Sequence, residues 1–146
     1  MIDAHAHLDD PKFAGEAEAV LQRAAAAGVE AIIVAGVDLD SSRALLALAD
    51  RREGTLPEAL EGGAGSPQLH VAVGFHPHEA SKCGRPELQE LRALASHPRV
   101  VAIGEIGLDY HYEHSRRDAQ WEAFVRQLDL ARALRLPVVV DRKSVV

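Results

Sequence analysis

Short, continuously apolar runs separated by stretches of helical periodicity restrict this chain to a parallel α/β architecture. The runs are Met1–His7, Val29–Gly36, Leu69–Phe75, Val100–Ile106 and a fifth that starts at Pro137–Val140. Between the first two, Phe13, Ala17, Val20, Leu21, Ala24 and Ala25 recur at helical spacing. Asp9 or Asp10 is the expected cap there, with Pro11 in the first turn and Gly28 as the stop. A second helix is expected from a cap at Asp40 or Ser41 to about Arg52, and a third over Pro86–Ser96. A fourth spans Asp118–Leu134, with Trp121, Phe124, Val125, Leu128, Ala131 and Leu134 on its inward stripe. Glu53–Pro67, rich in Gly and Pro, reads as a surface loop. The order βαβαβαβαβ gives five strands and four helices. Strands apolar on both faces are covered on both. The sheet is therefore parallel with helices outside it, either open and doubly wound or part of a barrel. A complete (β/α)8 barrel takes about 250 residues, and the 146 residues here supply about half.

Ionisable residues cluster where these strands end. Asp3-Ala4-His5-Ala6-His7 places two imidazoles at i and i+2, which face the same side of a strand. Both can reach one ion, and Asp3 lies on that side one step back. Imidazole nitrogen suits zinc and other divalent transition metals. Glu105 ends the fourth strand and shares the parity of Val101 and Ile103. A carboxylate on that face is costly unless it is paired or bound to metal. Gly104 and Gly107 flank it and permit tight turns and close approach of a substrate. Asp109 follows in the loop, as a ligand, a general base, a supporting acid or a simple turn cap. His76 and His78 flank Pro77 after the third strand; proline fixes where the imidazoles point, and either could bond a phosphate oxygen. His70, His97 and His114 read as incidental, and His111 as undecided. In parallel α/β folds the carboxyl ends of the strands carry the site, so groups from strands one, three and four share one rim.

The net charge of −6 argues against a basic face for nucleic acid. If phosphate is the substrate, metal ions must supply the positive charge. No apolar run approaches the roughly 18 residues needed to span a membrane, and no secretory signal is visible. The single Cys83, expected to be an exposed loop thiol, cannot form an intrachain disulfide; this fits a reducing, cytoplasmic setting.

Three motifs resemble the TatD family of metal-dependent deoxyribonucleases, within the amidohydrolase superfamily. They are D-A-H-A-H-L at Asp3–Leu8, G-F-H-P-H at Gly74–His78 and G-E-I-G-L-D-Y-H at Gly104–His111. The likeness continues through Gln120–Pro137. It implies the N-terminal part of a (β/α)8 TIM barrel with one or two divalent metals (Mg, Mn or Zn) that hydrolyses phosphodiester bonds in DNA through metal-activated water. His5, His7 and Glu105 would be metal ligands, with Glu105 able to bridge two ions. His76 and His78 would meet the substrate phosphate, and Glu105 and Asp109 would be catalytic. The pattern departs at its end. After Leu136–Val140 the family expects a metal-binding histidine, and Asp141 stands there, followed by Arg142-Lys143-Ser144-Val145-Val146. Asp141 can ligate a metal in principle and matches the parity of Val139. The resulting expectation is a partial barrel over 1–140 and a divergent tail over 141–146 that need not be native. Exposed strand edges would then favour self-association. Two other readings remain open: a small-molecule amidohydrolase or phosphoesterase, and a non-catalytic metal-binding fragment.

Overall fold

A computed structural model describes residues 1–53 and 66–141. Five strands form one sheet in chain order: β1 (Ile2–Ala6), β2 (Ala31–Ala35), β3 (Gln68–Val73), β4 (Val100–Gly107) and β5 (Val138–Asp141). Every neighbouring pair is parallel. Four helices join them: α1 (Ala17–Ala26), α2 (Leu39–Glu53), α3 (Arg85–Leu94) and α4 (Arg117–Leu134). The expected α/β half-barrel is the architecture found.

The two faces of the sheet differ. Ile32, Val34, Val71, Val73 and Ile103 pack against helix residues Leu21, Leu45, Leu91 and Leu130 in the main core. On the other face Ala35, Ala72 and Ala102 form a small separate cluster with Ile33 and Val139. Bulk on one side and alanine on the other suits a sheet curling inward, as barrel strands do. Both faces of the central strands are buried, as the apolar runs led us to expect, but with bulk on the helix side only.

Several boundaries shift for local reasons. The first helix is not continuous. Asp10 accepts the Lys12 N–H and caps one 3-10 turn at Pro11–Phe13. Gly15 then turns with φ +78, and α1 starts only at Ala17. Gly28, with φ +82, stops α1 as expected. The cap of α2 is Asp38 rather than Asp40 or Ser41. Its carboxylate accepts the Ser41 N–H at 2.9 Å, while Ser41 Oγ accepts the Val37 and Asp38 N–H groups at 2.8 and 3.0 Å. The stripe expected on α4 holds in part: Ala131 is buried and Phe124, Leu128 and Leu134 pack against the core, but Trp121 is 57% exposed and Val125 faces outward, and Gln120, Ala123, Gln127 and Leu130 are buried beside them. Cys83 is buried rather than exposed, and burial pushes its thiol up to about 11. The expected Gly/Pro loop lies mostly outside the described residues, as does the tail after Asp141.

Candidate metal centre

The site gathers at the carboxyl ends of the strands. β1 brings His5, and His7 follows one residue beyond the strand. Their Nε2 atoms lie 3.2 Å apart, and both face Glu105 Oε2, at 3.3 Å and 3.2 Å. His7 Nδ1 is 3.1 Å from the Ala35 carbonyl. A carbonyl only accepts, so that nitrogen carries the proton and the Nε2 lone pair faces Glu105 in the neutral ring. The Glu105 carboxylate hydrogen-bonded to His7 raises the imidazole's pKa, against the effect of burial. Burial pushes Glu105 up, but His7, His5 and His76 outweigh it and hold the carboxyl below its usual value. Two imidazole nitrogens and a carboxylate oxygen converging at about hydrogen-bond distance need a positive charge among them. Nitrogen and carboxylate donors of this kind fit a divalent cation. Asp3 turns back on its own strand, accepting the His5 N–H at 3.1 Å.

Glu105 arrives there by a route that strand parity does not give. Ile103 and Ile106 both lie in the helix-side core, three positions apart. The β4–β5 register shifts between them. Glu105 therefore parts from Ile103 and turns toward the histidines, contrary to the shared face expected from the sequence. Gly104 makes this possible by closeness. A Cβ there would come within 2.7 Å of the Val139 Cβ and carbonyl oxygen.

His76 and His78 sit on the turn after β3. His76 Nδ1 accepts the His78 N–H at 3.2 Å. The neutral ring then holds its proton at Nε2, 3.2 Å from Asp141 Oδ2. Burial lowers the His76 pKa, with Glu105 opposing, so the ring tends to the neutral form. His76, Glu105 and Asp141 form a second set with donor atoms within 4.8 Å of one another. In that set His76 presents a hydrogen-bond donor, which suits an anionic oxygen better than a metal. Val139 belongs to the inner cluster, and Asp141, two residues on, reaches the same side.

His78 Nε2 lies 2.5 Å from Asp109 Oδ2. Asp109 is 2% exposed and also accepts the His111 and Tyr112 N–H groups. Burial pushes its carboxyl up, yet the Tyr112, His78 and His111 donors hold it at about 2. A cleft of about 350 Å³ is lined by His7, His76, His78 and Glu105, with Asp9 and Asp10 at its side. Asp109 stands behind His78 and is not among the cleft residues. His97 pairs with Asp50, away from the cleft.

The sequence profile described as "TatD related DNase" matches residues 2–144. The chain belongs to the TatD family. It is 34% identical over 144 residues to a Bacillus subtilis protein named "Uncharacterized metal-dependent hydrolase YabD", covering 99% of this chain and 51% of that one. It is 38% identical over 138 residues to the "3'-5' ssDNA/RNA exonuclease TatD" of Enterobacter lignolyticus, covering 94% of this chain and 48% of the relative. The crystal structure of the Escherichia coli TatD homologue YjjV superimposes with a TM-score of 0.78 at 35% identity, covering 96% of this chain and 49% of that one. A TatD family hydrolase structure from Entamoeba histolytica gives 0.83 at 26% identity, covering 98% and 50%. The chain spans about half the length of the relatives it matches.

Two residues of this TatD chain that the sequence reading passed over hold the site loops. Gln127, fully buried, accepts the Phe75 N–H at 2.7 Å and donates to the Phe75 carbonyl at 3.1 Å. It thereby fixes the peptide before His76. Gln120, also fully buried, accepts the Asp109 N–H at 2.7 Å and donates to the Asp109 and Ser115 carbonyls. The two lie seven apart on one face of α4. Their signal was present: Gln120, Ala123, Gln127 and Leu130 keep helical spacing once glutamine is admitted to the buried stripe.

Proposed function

We propose that this chain carries the metal-binding and phosphate-binding part of a divalent-metal-dependent phosphodiesterase acting on DNA. The observation that carries the reading is the convergence of His5, His7 and Glu105 on one point beside an open cleft. His5, His7 and Glu105 would hold the ion, which supplies Lewis-acid activation of the phosphodiester and of water. His76 Nε2–H holds a phosphate oxygen, with Asp141 as its partner when no substrate is present. His78 lines the same cleft, and Asp109 keeps that ring oriented with a proton on Nε2. Asp109 is in this reading a positioning residue. The acidic chain is consistent with affinity drawn from metal charge and not from a basic groove. The exonuclease name borne by the Enterobacter lignolyticus relative favours a single strand.

Titration with Mn²⁺, Zn²⁺ and Mg²⁺ followed by a single-stranded DNA cleavage assay tests the reading. Glu105→Gln should weaken metal binding at least tenfold and abolish cleavage. Tight metal binding without cleavage would instead favour the non-catalytic reading. Turnover of a small phosphomonoester alone would favour the small-molecule phosphoesterase. Among the described residues no helix is long and apolar enough to cross a membrane. The single cysteine suits the cytoplasm. Ile2 at 64% and Val140 at 48% exposure lie on the two edge strands and support self-association, which light scattering would register as a dimer or larger species.

A further inference from the structure

The loop after β4 builds an exposed ledge of rings against one wall of the cleft. Tyr112 is 64% exposed and has no place in either apolar cluster. Its ring lies 6.1 Å from that of His114 with the planes 24° apart, and 4.6 Å from His111, edge to face. His114 in turn lies 4.4 Å from His78, which lines the cleft. The ledge is held from beneath. Asp109 takes the N–H groups of His111 and Tyr112. Ser115 Oγ donates to the His78 carbonyl at 2.8 Å, and Gln120 holds the Asp109 and Ser115 carbonyls. A large ring kept in water on a fixed backbone, and backed by a second ring, is preorganised to accept a flat partner. The cations beside it are engaged: Arg116 pairs with Asp118, and Arg117 with Glu113 while lying over Tyr110. The ledge therefore offers stacking more than charge.

We propose that Tyr112, backed by His114, is the stacking platform for the nucleobase next to the phosphate held in the cleft. The inference rests on the phosphodiesterase reading above and adds the base-binding subsite to it. Stacking of this kind tolerates any base because each has a π-face. It would give a net-acidic chain affinity for single strands that its charge does not supply.

The probe is a trinucleotide containing 2-aminopurine and phosphorothioate linkages, titrated into the Mn²⁺-loaded full chain. The platform predicts quenching of 2-aminopurine on binding. Tyr112→Ala should lose the quenching and bind roughly 5- to 150-fold more weakly, whereas Tyr112→Phe should keep both, because the ring and not the hydroxyl is used. Cleavage of a DNA single strand is compared with that of the same strand carrying abasic residues. The wild type should prefer the strand with bases, and Tyr112→Ala should cut the two alike. Quenching that survives Tyr112→Ala, or a wild type indifferent to the missing bases, overturns the platform while leaving the phosphodiesterase intact. Tyr112-dependent quenching with no cleavage of either strand supports the platform and sinks the phosphodiesterase.

Discussion

Gln127→Leu isolates the hydrogen-bonding role of a buried strut from its packing role. Leucine fills nearly the same space, so the cavity contribution is small. What is lost is both partners of the Phe75 peptide, at 2.7 and 3.1 Å, with Phe75 itself 2% exposed. A buried backbone group left unpaired costs about 1–3 kcal/mol, so the pair should cost about 2–6 kcal/mol. That is a large share of the ~5–15 kcal/mol that holds a typical domain together. With a urea slope of about 2 kcal/mol per molar, the midpoint should fall by about 1–3 M. Exchange of the Phe75 amide should accelerate more than that of Val71, deep in β3. Gln127→Glu supplies an internal check. An ionised glutamate keeps an acceptor for the Phe75 N–H but sets negative charge against the Phe75 carbonyl. Its folded-state pKa should therefore be raised, because only the protonated form can donate. The stability lost at neutral pH should return as pH falls through that raised value. A urea midpoint within about 0.3 M of wild type for Gln127→Leu, with Phe75 exchange unchanged, would refute the strut.

Gly104→Ala should destabilise by about 1–3 kcal/mol, since its new methyl would meet Val139 backbone and Cβ at 2.7 Å with φ at +159; a thermal melt equal to wild type would contradict this. Asp109 should contribute roughly 2 kcal/mol through its lowered pKa. Its folded value is about 2 against a usual 3.8, so that stability is present above pH 3.8 and fades as pH falls through 2. The stability gap between wild type and Asp109→Asn should close over the same window in acid titrations followed by circular dichroism. Cys83, buried and pushed up to about 11, should react with a thiol reagent at neutral pH only on unfolding; prompt labelling of the native chain would place it at the surface.

The architecture was legible because each strand is an apolar run and each helix repeats at 3.6 residues. The parallel order and five-strand count followed from those two periods. The imidazole pairs were legible because their spacing is local: His5 and His7 need only a strand, and His76 and His78 only a proline between them. What could not be read depended on other parts of the chain. Glu105 meets the histidines as expected, but not on the face of Ile103 that its parity suggested, because the register shift against β5 involves residues more than thirty positions away. Trp121 looked like a core residue by hydrophobicity and is exposed, while Gln120 and Gln127, which hydrophobicity leaves out of the stripe, are buried. The peptides they satisfy belong to Phe75 and Asp109, and no window on α4 contains those partners. The cap of α2, Asp38, lies two residues before the nearer expected cap, Asp40, because the helix already starts at Leu39.

The register shift in β4 also separates two kinds of constraint along a single strand. Ile103 and Ile106 answer to the packing of the helices, and Glu105 between them answers only to chemistry. Conservative exchange at either isoleucine can therefore proceed without retuning the carboxylate, and the carboxylate can be changed without emptying the core. Length is a different matter. Removing or adding one residue between Val100 and Ile106 would trade these assignments, sending an isoleucine toward the imidazoles and the charge among the leucines. This segment should accept conservative exchange at its isoleucines and no indels.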